Sequence, residues 1–201
     1  MCRLGALFAI ALTIFAAGTA AAEERPLAIR FGLLLLEPTS ETTVGGTTRT
    51  FDTQSGAEFE FEWYFLSRLG LEASLLGSAD VDVSDDNDDI AALTFSTVTV
   101  GLNGHPIRTE AIDWGIGVFG GRATYGDFES TDSSWTFDYK RDTVWGAQTF
   151  VDIPIKKGGR WGIDIGVKWI STALELDSGA EIQYDPFIGR VMGVYRWGQP
   201  R

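Results

Sequence analysis

The stretch Ala57-Glu58-Phe59-Glu60-Phe61-Glu62-Trp63-Tyr64-Phe65 decides the fold. Every second residue (Ala57, Phe59, Phe61, Trp63, Phe65) is apolar, and Glu58, Glu60, Glu62 and Tyr64 stand between them. Period two means a strand, because successive side chains leave opposite faces of a pleated chain. One face of this strand is large and apolar, and the other carries three carboxylates. In a soluble sandwich the apolar face is the core and the glutamates meet water. In a transmembrane barrel the apolar face meets lipid and the polar face lines the interior.

Outward from this strand the same period recurs. The alternation predicts further strands over residues 27–36, 69–75, 94–103, 112–125, 137–155, 161–170 and 185–197. Pro38 ends the first. Within 94–103 the alternation reverses sense, which predicts a bulge or an early strand end near Ser96. The connections alternate in length. Leu66-Ser67-Arg68, residues 104–110 with Pro106, and Lys156-Lys157-Gly158-Gly159 are short turns, the last of the glycine hairpin type. Residues 39–55, 80–89, 126–135 and 171–183 read as long polar surface loops, the first with frayed strand extensions. Eight strands in hairpins, with strictly alternating loop length, fit a transmembrane barrel with short periplasmic turns and long extracellular loops. A soluble up-and-down barrel has no reason to keep that asymmetry.

Tryptophan and charge point the same way. Trp63, Trp114, Trp161 and Trp197 lie at the short-turn end of their strands, and Trp135, Trp145 and Trp169 toward the long-loop end. Together with Tyr195 they predict two interfacial aromatic bands, where indole sits between hydrocarbon and headgroup. The short turns carry Arg68, Arg108, Lys156, Lys157 and Arg160, and the long loops carry most of the acid. The predicted fold class is all-β: an eight-stranded antiparallel up-and-down transmembrane β-barrel.

The first residues predict export. Residues 1–22 combine Arg3, an apolar run over residues 4–17 and the ending Ala20-Ala21-Ala22, the form of a secretory signal peptide. The run is shorter than the ~20 residues a membrane-spanning helix needs. Cys2 precedes that run instead of following it, so it is no lipoprotein signal. Cleavage after Ala22 leaves one domain over 23–201, without the only cysteine and hence without disulfide or thiol chemistry. It also removes Arg3, leaving 15 basic against 28 acidic residues, net −13. Such acidity argues against nucleic acid.

The closing strand resembles a known family. Asp185-Pro186-Phe187-Ile188-Gly189, running into Gly193-Val194-Tyr195-Arg196-Trp197, is similar to the final-strand signature of the OmpW family of small outer-membrane barrels, and residues 161–172 look like that family's penultimate strand. The chain departs from the pattern in closing on Trp197 where the family has Phe, and in continuing with Gly198-Gln199-Pro200-Arg201. The resemblance implies eight strands, the outer membrane of a Gram-negative bacterium, assembly by the outer-membrane insertion machinery, and passage of small, largely hydrophobic solutes. The partners it implies are outer-membrane lipid, lipopolysaccharide and a small solute, for a monomer or weak oligomer.

Parity sends Arg30, Glu58, Glu60, Glu62, Glu72, Asp113, Asp152, Asp164, Lys168, Arg190 and Arg196 into the interior. Two readings stand side by side. These charges pair across the lumen and plug it, because an eight-strand barrel is just wide enough for side chains to fill. Or they form a polar constriction that a solute passes, with glycines 115, 117, 121, 162 and 166 leaving space on one wall. No cofactor, metal site or catalytic set is predicted. The string Gly115-Ile116-Gly117-Val118-Phe119-Gly120 has no helix after it. The acidic run 80–89 lacks the ligand order and glycine of an EF-hand and reads as a solvated loop, with divalent bridging to lipopolysaccharide phosphates as the lesser reading. His105 reads as a turn residue remote from any nucleophile. Function is left between a passive tube for small solutes and a non-conducting barrel that presents acidic loops to lipopolysaccharide, ions or partners.

Overall fold

The computed structural model describes residues 27–39, 42–44, 47–79, 81–85, 88–126, 128–129, 136–137, 140–175 and 181–197. The leader expected over 1–22 lies outside the described residues, as do Trp135 and the Asp80, Asp86 and Asn87 of the acidic run.

Eight long strands form the barrel: β1 (Leu27–Pro38), β2 (Gln54–Leu66), β3 (Leu69–Ser78), β4 (Phe95–Arg108), β5 (Asp113–Tyr125), β6 (Lys140–Pro154), β7 (Trp161–Glu175) and β8 (Pro186–Trp197). Each pairs antiparallel with its sequence neighbours, and β1 pairs with β8 to close the sheet. Closure leaves no unpaired edge, the condition for a sheet to sit in lipid. Strands of this length, tilted, cover the ~25 Å apolar band of an outer-membrane barrel.

Register follows from the alternating pattern, since a slip of one residue turns every side chain to the wrong face. Arg30 stands opposite Glu60, and Ala28 opposite Glu62, so the polar sides of β1 and β2 share one surface. That surface is inside. Arg30, Glu60 and Glu62 are each 0% exposed, while Phe31 is 51%, Leu33 74% and Val100 56% exposed on the outside. The large exposed apolar surface is the lipid face. Val100→Arg, at mid-strand on that face, is expected to cost about 2–4 kcal/mol in folding free energy. Equilibrium unfolding in lipid vesicles checks it, and a cost near zero places Val100 outside the hydrocarbon.

The hairpin after β6 turns at Gly158, whose φ of 66° is favoured only for glycine. Two details of β4 differ from the alternation. The strand begins cleanly at Phe95 with no register shift near Ser96, and it runs on through Pro106 to Arg108. The irregularity falls between Gly104 and Ile107, where a bulge accommodates the proline that an unbroken ladder rejects. The long connections also carry strands. Thr42–Val44, Thr47–Phe51, Val81–Asp85 and Asp88–Leu93 form a four-stranded sheet joining the first two, in place of the loops expected over 39–55 and 80–89. Threonines and valines at these positions suit extended backbone. Phe128–Glu129 pairs with Thr136–Phe137, and Glu181–Tyr184 with the end of β7.

Candidate functional site: the barrel interior

The interior has two storeys. Toward the long loops it is apolar and aromatic. Leu34, Leu36, Phe95, Tyr125, Ile170, Tyr184 and Ile188 are buried there. Phe95 packs on Tyr125 and Tyr184 with ring centroids 5.4 and 5.1 Å apart. Phe51 closes on Tyr184 at 5.2 Å, edge to face. The two phenols find partners in Thr172 (2.9 Å) and Gln54 (3.4 Å).

Below lies a charged storey built on two guanidiniums. Arg30 of β1 donates through Nη2 to Asp152 (2.9 Å) and through Nε to the other oxygen of the same carboxylate (3.2 Å). Its Nη2 also lies 2.8 Å from Glu62, and its Nε 3.5 Å from Asp164. Arg190 of β8 reaches Asp164 at 3.0 Å, Glu58 at 3.6 Å and Glu60 in a short contact. Lys168 of β7 bridges Glu58, again closely, and Glu60 at 3.2 Å. The Phe150 ring lies beside both arginines, 4.5 Å from the Arg30 guanidinium and 5.1 Å from that of Arg190.

The floor faces the short turns. Arg196 Nη2 pairs with Asp152 at 2.9 Å and lies 3.9 Å from Asp113. His105 joins Asp113 through Nδ1 (2.6 Å) and Glu62 through Nε2 (3.0 Å). The Arg108 guanidinium caps the Tyr64 ring at 3.6 Å, pairs with Asp113 at 3.3 Å and donates to the Ser67 carbonyl. Glu72 makes no ion pair among the described residues. One of its oxygens accepts from Asn103 and Gln148, each at 2.6 Å.

All eleven residues that parity directs inward lie inside, none more than 5% exposed. They do not act alone. His105, expected in a turn, is a buried strand residue, because β4 continues past it. Asn103, Gln148, Tyr64 and Phe150 complete the assembly. Their inward parity was readable, but nothing in the string showed which neighbours they would meet. The space expected beside the interior glycines is filled. A Cβ at Gly115 lies 2.6 Å from Phe150 Cε1, and one at Gly166 lies 2.8 Å from Phe150 Cβ and 2.9 Å from Arg190 Nε. At Gly117, Gly121 and Gly162 it meets Asn103, the backbone at Thr99 and Val194. These glycines admit their neighbours' bulk; they leave no free wall.

Outside, Trp145 and Trp169 pack edge to face at the loop end, their centroids 4.9 Å apart. At the turn end Tyr195 bridges Trp161 (4.7 Å) and Trp197 (5.0 Å), and Trp63 is exposed there too. Trp114 is half-buried against the strand and donates to Thr149 at 2.9 Å. Among the described residues no three His, Cys, Asp or Glu side chains are grouped to hold a metal ion.

No family model and no curated protein matches the sequence. Solved structures match the fold. The chain is similar to the outer membrane protein OprG of Pseudomonas aeruginosa, at 15% identity and a TM-score of 0.63 over 89% of this chain and 98% of that one. It is similar to AlkL, an outer membrane protein solved in lipid bilayers, at 15% identity and 0.56 over 91% and 95%. Neisserial surface protein A gives 4% identity and 0.61 over 86% and 97%. At these identities the likeness is one of fold. The chain has the fold of the small eight-stranded outer-membrane β-barrels.

Proposed function

We propose that the barrel spans the outer membrane without conducting, as a closed body that presents its acidic connections to lipopolysaccharide, ions or partner molecules. The observation that carries this reading is the filled cross-section. Arg30 and Arg190 both pack on Phe150, five carboxylates close around them, and no member of the set exceeds 5% exposure. A solute tube needs a continuous void, and a charged interior gives one up only where every charge is paired or hydrogen-bonded. Here the pairs run across the lumen: Lys168 on β7 to Glu58 on β2, and Arg30 on β1 to Asp152 on β6. The aromatic storey makes a second barrier above. Passage of a small hydrophobic solute, which the resemblance implies, requires both layers to move.

In the same reading the leader over 1–22 is cleaved on export, and the insertion machinery assembles residues 23–201 in the outer membrane. The test is electrical. Purified barrel in planar bilayers is expected to show no conductance steps, and liposomes carrying it no faster solute uptake than empty ones. Steady single-channel openings in the wild-type chain overturn the closed barrel and restore the tube.

A further inference from the structure

The rim of short turns carries a charge opposite to that of the chain. The turns at residues 67–68, 109–112 and 155–160 hold Arg68, Lys156, Lys157 and Arg160 against one acid, Glu110, in a protein of net charge −12. All four cations are exposed. Lys157, its side chain 79% exposed, reaches Glu110 at 3.5 Å, and the Gly158 amide donates to the Glu110 carbonyl at 3.3 Å, so neighbouring turns are tied together.

This cationic rim is continuous with the lipid face. Ile155, beside Lys156, is 67% exposed, and Trp161, beside Arg160, is 53% exposed. The Arg160 carbonyl accepts from the Arg196 amide at 2.8 Å, which fixes the turn against β8 below the Trp161–Tyr195–Trp197 cluster. Interfacial indoles mark the headgroup level, and the cations stand just beyond it, at the depth of phosphodiesters.

We infer that this rim is a binding site for anionic phospholipid headgroups of the periplasmic leaflet. Ammonium and guanidinium groups donate to phosphate oxygens, and the adjoining Ile155 and Trp161 take the acyl region of the same molecule. Lipid A phosphates face the opposite rim and are out of reach. Peptidoglycan is the competing acidic partner, but it offers nothing to the apolar half of the patch.

The folded full-length chain in neutral detergent, titrated with phosphatidylglycerol, phosphatidylethanolamine and soluble muropeptides, tests this by native mass spectrometry or calorimetry. Phosphatidylglycerol is expected to bind at least tenfold more tightly than phosphatidylethanolamine. The triple variant Lys156→Gln, Lys157→Gln, Arg160→Gln is expected to lose about fivefold per cation, ~100-fold together. Arg122→Gln, an exposed cation at the other end of the barrel, is expected to change nothing. Raising salt on the wild-type chain screens the same contacts without a mutation and weakens binding in parallel. Equal affinity for the two lipids, full retention in the triple variant, or indifference to salt overturns the site. Muropeptide binding in place of phosphatidylglycerol overturns it too and gives the rim to the cell wall.

Discussion

Arg30→Ala is expected to lower the stability of the folded barrel by at least about 3–5 kcal/mol, the cost of leaving buried charges without their partner. Arg30 is 0% exposed and stands within ion-pair distance of Glu60, Glu62, Asp152 and Asp164. Removing it leaves Glu62 with His105 and forces Glu60, Asp152 and Asp164 to share Lys168, Arg196 and Arg190 in a buried, acid-rich interior. Arg30→Lys is expected to recover only part of the loss. A point ammonium cannot make the two-pronged contact with Asp152 while facing Glu62, and it loses the planar face that lies over Phe150. Equilibrium unfolding in guanidinium, followed by tryptophan emission in detergent or vesicles, measures both. An Arg30→Ala chain within 1 kcal/mol of wild type shows that water reaches the network and the interior is not sealed.

Phe150→Ala carries the second large effect, and it reads function as well as stability. The ring lies beside two guanidiniums and abuts Gly115, while the Phe150 Cβ abuts Gly166. Deleting a buried phenyl costs about 3–5 kcal/mol where the surroundings do not collapse. Here they cannot collapse easily, because Arg30 and Arg190 are held in place by ion pairs to the shared carboxylates of Glu60 and Asp164. Water entry follows, and the variant is expected to conduct small ions where the wild type does not. Gly115→Ala gives the complementary test. In the wild type it forces a methyl into the ring and is expected to cost about 1–3 kcal/mol; combined with Phe150→Ala that cost should vanish. The non-additivity of the pair measures the contact directly. Additive losses, or a silent Phe150→Ala in bilayers, leave the ring without a sealing role.

Much of this is legible in the amino-acid sequence. The alternation at Glu58, Glu60 and Glu62, repeated around Arg30 and Lys168, assigned each charge to a face, because parity along a strand is a local property of the backbone. The alternating loop lengths gave the antiparallel order and the closing pair. His105 was not legible. Pro106 next to it signals a turn, and only the bulge between Gly104 and Ile107 lets the ladder carry the ring on to Asp113 and Glu62. The hairpins between residues 42 and 93 were also hidden, since their pairing joins two connections distant in sequence.

Strand and face were thus determined by the sequence itself: period two and turn residues act over a few positions and require no partner. What stands against the inner-wall glycines was decided by tertiary structure alone. Gly115 and Phe150 lie 35 positions apart and meet only because β5 and β6 pair in register. A glycine on an inner wall means free space or a neighbour's bulk according to what the closed ring sets against it, and that opposition does not exist until the barrel closes.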